Sequence, residues 1–307
     1  METRILRDNW IGIAAAAKLI RAGQPVAVPT ETVFGLAADA TNGEAVARIY
    51  AAKGRPSFNP LIVHVTSLAQ AEQIACFSPT ARALAARHWP GPLTLVLPLR
   101  EDSGIAPLVT AGLPTIAVRA SAHPTMRALI EAVGRPLAAP SANASGRISA
   151  TRAEHVRLSL DGRIPLILEG HTSHGLESTI VAVEDEAVRL LRPGPIAAET
   201  LGASTSSSKK IEAPGQLESH YAPSKPLRLN ATEAAPDECL IAFGPMRGAW
   251  KFNLSTDGDL LGAAANLFFY LHLADQAPCA RIAIAPIPDE GIGIAINDRL
   301  RRAAAPR

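Results

Sequence analysis

The sequence predicts an α/β protein: a twisted, mixed open sheet with flanking helices, followed by a smaller β-α-β domain. Three observations lead there. The chain has 307 residues, a length that suits about two domains. Hydrophobic residues make up 48% and charged residues 19%, which supplies a core and excludes a largely disordered chain. Short apolar runs alternate with helical stretches over the first two-thirds, and several runs adjoin with no helix between them, which predicts a mixed rather than a purely parallel sheet.

The elements follow in order. Residues 11–17 are apolar, and Lys18, Arg21 and Gly23 close them as a packing helix rather than a signal peptide. Residues 26–28 read as a strand ending at Pro29. A helix is predicted over 43–52 and a buried strand over 61–65. Helices follow near 67–75 and 79–88, then strands over 93–97 and 115–119, then a helix near 124–133. Residues 137–139 lead into Pro140, and strands over 166–168, 179–183 and 188–191 complete the series. The stretch 202–216, GASTSSSKKIEAPGQ, is polar and punctuated by Gly and Pro, as a linker is. Beyond it, strands over 240–243 and 281–285 flank a helix over 260–276. The predicted division is a domain over 1–201, a linker over 202–225 and a small domain over 226–307.

Charge and cysteine content narrow the function. Lys and Arg total 30 against 28 Asp and Glu, a net charge of +2, so any anion site must be a local cluster. Cys76, Cys239 and Cys279 form no CxxC pair; they predict neither a disulfide framework nor a zinc knuckle, and fit a reducing cytosol. No run approaches the roughly 18 apolar residues of a membrane helix. A soluble cytoplasmic protein is expected.

Four clusters can carry chemistry. Pro29-Thr30-Glu31-Thr32-Val33-Phe34-Gly35-Leu36 follows a strand, where ligands sit in open α/β sheets, although a hydrogen-bonded turn explains it locally. Lys53-Gly54-Arg55 closes a helix before Asn59 and a strand bearing His64. Its cations can clamp a polyphosphate or merely complement the helix C-terminus. Ser141 and Asn143 lie in PSANASG, again past a strand, and Thr151-Arg152-Ala153-Glu154 reads as a capping box. Ser178 opens a strand in ESTIV, and Arg192 ends one in LRPG. There is no GxxxxGK[ST] phosphate loop, no GxSxG elbow and no complete dinucleotide fingerprint. His171 and His174 lack metal-ligand partners at suitable spacing.

In order, PTETVFGL, KGRPSFNPLIVH, PSANASG, ESTIV and LRPG resemble the YrdC-type threonylcarbamoyl-AMP synthases. The segment from Ala213 to Pro223 and the run from Glu290 to Arg299 resemble the linker and accessory domain of the longer, two-domain members. Phe34 stands where that family commonly has Tyr. The resemblance implies a YrdC-like catalytic domain with a Rossmann-like C-terminal domain. It implies a nucleotidyltransferase that joins L-threonine, bicarbonate and ATP into threonylcarbamoyl-adenylate and pyrophosphate. The product would pass to a tRNA threonylcarbamoyltransferase complex that modifies tRNA beside the anticodon.

By the same resemblance, Arg55, Asn59, Thr115, Asn143, Thr151, Arg192 and Tyr221 contact ATP, and Thr32, His64, Arg119, Ser141 and Ser178 contact L-threonine. Lys53 and Arg55 would carry catalysis, with Lys53 supporting the phosphates. Mg²⁺ would arrive with ATP, since the motifs supply no carboxylate cage and hence no protein metal site. Residues 213–223 would close as a lid. The alternative from another class is a double-stranded-RNA-binding module without synthase activity, held by shape. Direct RNA binding is expected to be weak at this net charge.

Overall fold

In the computed structural model, residues 2–205, 211–246, 248 and 250–306 are described. Residues 206–210, inside the expected Ser-rich linker, lie outside the described residues.

The first sheet has eleven strands and is mixed, as predicted. Across the sheet they run Arg4–Leu6, Leu166–Leu168, Val26–Val28, Gly35–Asp39, Leu137–Ala138, Ile62–Val65, Thr115–Ala120, Leu93–Pro98, Thr179–Glu184, Ala187–Arg192 and Ser204–Thr205. Parallel and antiparallel pairings both occur; Ile62–Val65 and Thr115–Ala120 are parallel, with His64 beside Arg119.

Strand side chains alternate between faces, and that alternation makes the cleft. Val63, Val65, Leu93, Leu95, Leu97, Ile116, Val118, Val181 and Val183 join one core, packed under the helices Gly43–Lys53, Leu68–Glu72 and Pro79–His88. The intervening residues Ile62, Val96, Ala117, Ile180 and Ala182 face the other way. His64 and Arg119 share that second face and line an open cleft. Elsewhere the second face is covered by the helices Trp10–Arg21 and Pro124–Val133, through Ala16, Ile20, Met126 and Leu129.

The second sheet is wholly parallel, in the order Leu227–Arg228, Arg281–Ile284, Glu238–Ala242 and Phe252–Asn253. Its helices are Leu260–Gln276, capped by Asp259, and Gly293–Ala304. Their apolar faces bury Leu267, Phe268, Leu271, Ile296 and Leu300. Phe268 is fully buried, a burial that stabilises by roughly 1.5–3 kcal/mol. The same core takes in Val33, Ile148, Leu176 and Tyr221, so it is continuous with the loops at the cleft.

Three readings need correction. Cys239 and Cys279 form a disulfide, with Cα atoms 5.6 Å apart, while Cys76 is free and exposed. The parallel register sets Cys239 opposite Ile282, which brings it close to Cys279 across a 40-residue separation that no local motif signals. The pair also departs from the cysteine chemistry of a reducing compartment. The capping box is not formed: Arg152 is the N-cap of Ala153–Leu160 and makes no side-chain cap bond. Thr151 Oγ1 lies instead 3.3 Å from His155 Nδ1. The helix expected over 67–75 is shorter, Leu68–Glu72, because Gln73 already caps it. No helix among the described residues is long and apolar enough to cross a membrane.

Candidate active site

The cleft lies on the second face of the central strands; its inner cavity is about 40 Å³ and it opens to solvent. Of the residues expected at the site, Thr32, Arg55, His64, Arg119, Ser141, Ser178, Arg192 and Tyr221 line it together. Lys53, Asn59, Thr115, Asn143 and Thr151 do not line it.

One end is built on Thr32, Glu31 and Arg119. Thr30 Oγ1 donates to the Val33 carbonyl at 2.6 Å and fixes this turn. Arg119 Nη1 donates to Thr32 Oγ1 at 2.9 Å, its Nε donates to the Gly91 carbonyl, and its Nη2 lies 2.6 Å from Glu31 Oε1. Burial alone would raise the Glu31 pKa, but Arg119 and the hydrogen bonds from Ser121 and the Ala122 amide pull it down to about 2. Glu31 is therefore ionised at neutral pH and offsets the Arg119 charge. His64 is pushed down to about 3 by burial and by Arg119, so its imidazole is neutral. Its Nδ1 is buried with no hydrogen-bond partner among the described residues.

The other end carries cations. The helix Gly43–Lys53 is capped by Asn42 and stops at Gly54, whose φ of 59° is the left-handed conformation that favours glycine. That stop sends Lys53 and Arg55 in different directions. Lys53 Nζ donates to the carbonyls of Ser141 and Asn143 and stays out of the cleft. Arg55 enters the cleft, with Nε and Nη2 held by the carbonyls of Asn59 and Pro60. Burial pushes its pKa down to about 10. Arg192 gives Nε and Nη2 to the Ser178 carbonyl, Nη2 also to Ser178 Oγ, and Nη1 to the Pro214 carbonyl. Among the described residues, neither Arg55 nor Arg192 has a carboxylate partner.

The expected ATP-contacting residues outside the lining are held elsewhere around the cleft. Asn59 is buried, and both its side-chain polar atoms lack partners among the described residues. Asn143 Nδ2 donates to the carbonyls of Ala144 and Arg147, leaving its Oδ1 unpaired. Thr115 opens its strand opposite Pro98 and is half-buried.

The linker forms a wall. Pro214, Gly215, His220 and Tyr221 line the cleft. Gly215 has a φ of 86°, and a Cβ there would lie 2.7 Å from the Tyr221 hydroxyl and 2.9 Å from Arg192 Cδ. Tyr221 is buried with φ at 61°, stacks on Phe268 with centroids 5.6 Å apart, and leaves its hydroxyl unpaired.

Sequence reasoning missed Glu31 as the partner of Arg119, and it missed Glu177, His220 and Arg299. Glu177 lines the cleft, accepts a hydrogen bond from Ser149 Oγ and takes Arg299 Nε at 2.9 Å. The available signals were the carboxylates inside PTETVFGL and ESTIV and the His beside Tyr221. Among the described residues, no group of three or more His, Cys, Asp or Glu side chains is arranged to hold a metal.

Comparison with known proteins agrees with this geometry. A family model described as "Telomere recombination" matches residues 18–194. A second, described as "Threonylcarbamoyl-AMP synthase, C-terminal domain", matches residues 183–305. The chain is 42% identical to the threonylcarbamoyl-AMP synthase of Bacillus subtilis, over 98% of this chain and 95% of that protein. It is 39% identical to the enzyme of that name from Pyrococcus abyssi, over 98% and 96%. The structure of P. abyssi Sua5 complexed with L-threonine superposes with a TM-score of 0.87 at 36% identity, covering 99% of this chain and 97% of that one. Matches of this extent over both sheets establish that the chain belongs to the two-domain threonylcarbamoyl-AMP synthase family.

Proposed function

We propose that the protein is a nucleotidyltransferase that makes L-threonylcarbamoyl-adenylate and pyrophosphate from L-threonine, bicarbonate and ATP, for the threonylcarbamoyladenosine modification of tRNA. The observation that carries this reading is the pair Arg55 and Arg192, two buried guanidinium groups in one cleft with no carboxylate partner among the described residues. Buried charges are normally paired, and a triphosphate supplies the missing anion through charge-assisted hydrogen bonds. The unpaired polar atoms of Asn59, Asn143 and Tyr221 also favour ATP, since buried polar groups without partners are rare. Thr115 and Thr151 complete the proposed ATP set.

L-Threonine is assigned to the Arg119 side, with Thr32, His64, Arg119 and Ser141, and to Ser178, which stands between that side and Arg192. Two features support this. The Glu31–Arg119 pair offers both charges to a zwitterion, and neutral His64 offers an acceptor nitrogen. The amine and bicarbonate first condense to a carbamate with loss of water. A carbamate oxygen then attacks the α-phosphorus, the bond to the bridging oxygen breaks, and pyrophosphate leaves. No side chain need form a covalent bond; the residues orient the reactants and stabilise charge. Lys53 acts by holding the Ser141–Asn143 loop rather than by touching phosphate.

Mg²⁺ belongs to this proposal only as the companion of ATP. The carboxylate lining the cleft, Glu177, is engaged by Arg299, and Glu31, behind Arg119, is engaged by Arg119. The ion would thus be carried by phosphate oxygens, and no step is routed through it. The linker over 213–223 is assigned as a lid that excludes water from a labile mixed anhydride. Its four residues in the cleft wall support that role. Deleting 213–223 should abolish synthesis or raise unproductive ATP hydrolysis. We place the protein in the cytoplasm, where the Cys239–Cys279 bond would be an exception to the usual reduced thiols and where the protein would hand its product to a tRNA threonylcarbamoyltransferase complex. The RNA-binding alternative is not favoured, because the distinctive cations Arg55 and Arg192 are buried in the cleft rather than spread over the outer surface.

The test is pyrophosphate release from ATP with bicarbonate and L-threonine, against L-serine and no-amino-acid controls. Threonine-dependent release is expected. ATP binding without such release would overturn the synthase reading.

A further inference from the structure

Arg299 sits on the C-terminal helix Gly293–Ala304, yet it is the largest fully buried side chain among the described residues. Its Nε donates to Glu177 Oε2 at 2.9 Å and its Nη1 to Asp298 Oδ2 at 2.8 Å. Its Cζ lies 5.2 Å from the Tyr221 ring centroid. The same helix grips the linker twice more: Arg302 Nη1 donates to the Leu217 carbonyl at 2.7 Å, and the Arg302 carbonyl accepts the His220 amide. Glu177 and Tyr221 both line the cleft, whereas Arg299 does not.

Glu177 is the critical neighbour. It directly precedes Ser178, which holds Arg192, and its negative charge favours the protonated forms of both Lys53 and Arg192. A carboxylate so placed, if free to turn, would neutralise the cation that ATP needs. Arg299 takes one of its oxygens and Ser149 the other.

We propose that Arg299 is a positioning residue of the synthase site: it sequesters the Glu177 carboxylate and braces Tyr221, leaving the Arg192 charge without a carboxylate partner and available to the triphosphate. The C-terminal domain thereby sets the ATP affinity of a site on the other sheet. This inference rests on the synthase reading and assigns the C-terminal domain a task within it. Removing Arg299 frees Glu177 to compete with phosphate for Arg192, a competition that falls on ATP; the charged groups assigned to L-threonine, Arg119 and Glu31, keep each other as partners, and Ser178 is the one threonine contact beside Arg192.

The experiment is calorimetric titration of ATP and of L-threonine into the full chain, for wild type, Arg299→Gln, Glu177→Gln and the double variant. Arg299→Gln should weaken ATP at least tenfold and leave L-threonine within twofold. Glu177→Gln in the Arg299→Gln background should recover most of the ATP affinity, a rescue that a merely structural role would not give. Arg301→Gln, an exposed change on the same helix, should alter nothing. The proposal is overturned if folded Arg299→Gln binds ATP within twofold of wild type, if ATP and L-threonine weaken in proportion, or if the double variant shows no recovery. Should Arg299→Gln fail to fold, Arg299→Lys keeps the charge and must weaken ATP at least threefold, with Glu177→Gln relieving the loss; otherwise the idea fails. A wild type that binds no ATP overturns the synthase reading and this inference together, an outcome visible before any variant is made.

Discussion

Lys53 Nζ donates to the carbonyls of Ser141 and Asn143, 2.5 Å from each, and so ties the end of one helix to a loop 88 residues further along the chain. Both acceptors are main-chain atoms of PSANASG, whose side chains serve the two proposed substrates. Lys53→Ala should therefore weaken L-threonine and ATP together, by releasing Ser141 and Asn143 at once. Lost hydrogen bonds from a charged donor contribute roughly 1.5–3 kcal/mol each, so losing both predicts a combined loss of about 100-fold or more in kcat/KM. Separate titration of the two substrates checks this; a loss confined to ATP would make Lys53 a phosphate ligand instead.

Arg55 should behave differently, because its guanidinium lies in the cleft and is held by its own loop through Asn59 and Pro60. Arg55→Ala removes a phosphate contact without loosening Ser141. About 1.5–3 kcal/mol per charged hydrogen bond gives on the order of 10- to 100-fold in activity, seen in the KM for ATP, with L-threonine affinity unchanged. A loss under twofold with the fold intact would remove Arg55 from the phosphate site.

Much of this site is legible in the sequence because its motifs follow strands, and period-two alternation together with the parallel register places His64 and Arg119 on one face. Their partners are not legible. Glu31 meets Arg119 across 88 positions, and Glu177 meets Arg299 across 122, through sheet order and domain packing. Local chemistry explains the missed elements too. The strand Gly35–Asp39 reads GLAAD, with no β-branched residue. The strand Arg4–Leu6 has only three residues. The helix Gly293–Ala304 begins at glycine with no capping side chain, so no start signal announces it. Lys53 looks like a phosphate ligand until Gly54 turns Arg55 away from it.

The disulfide makes a prediction within the C-terminal sheet. Cys239 is buried on the strand Glu238–Ala242, and the loop that the Cys239–Cys279 bond closes spans 40 residues. Loop-closure entropy gives roughly 3–4 kcal/mol for a loop of that length. Cys239→Ser should lower the melting temperature of the C-terminal domain, and reduction of the wild type should do the same. Thiol titration of the unreduced, unfolded chain should find one free thiol, from Cys76, rising to three after reduction. Three thiols without reductant would refute the pairing.

Acid stability should be governed by buried neutral histidines. His155 and His272 stack with centroids 3.9 Å apart between the helices Ala153–Leu160 and Leu260–Gln276. Burial pushes His155 down to about 3, with His272 and Arg152 adding to the effect, and burial pushes His272 down to about 4. Both pKa values are depressed in the folded state, so below the ordinary value of 6.5 the unfolded chain binds protons that the native state refuses. Stability is thus fully present above about pH 6.5 and is lost progressively as pH falls toward 4, at roughly 1.4 kcal/mol per pH unit for each such group. Glu31 adds a later loss as pH falls from 4.5 toward 2, because its ionised form is favoured in the native state. His272→Phe removes one of the refused protons and keeps an aromatic ring against His155. Its denaturation midpoint should fall less steeply than that of wild type between pH 6.5 and 4, while the two curves run parallel above pH 7. Identical slopes throughout would show that the stacked pair is already protonated in the folded protein.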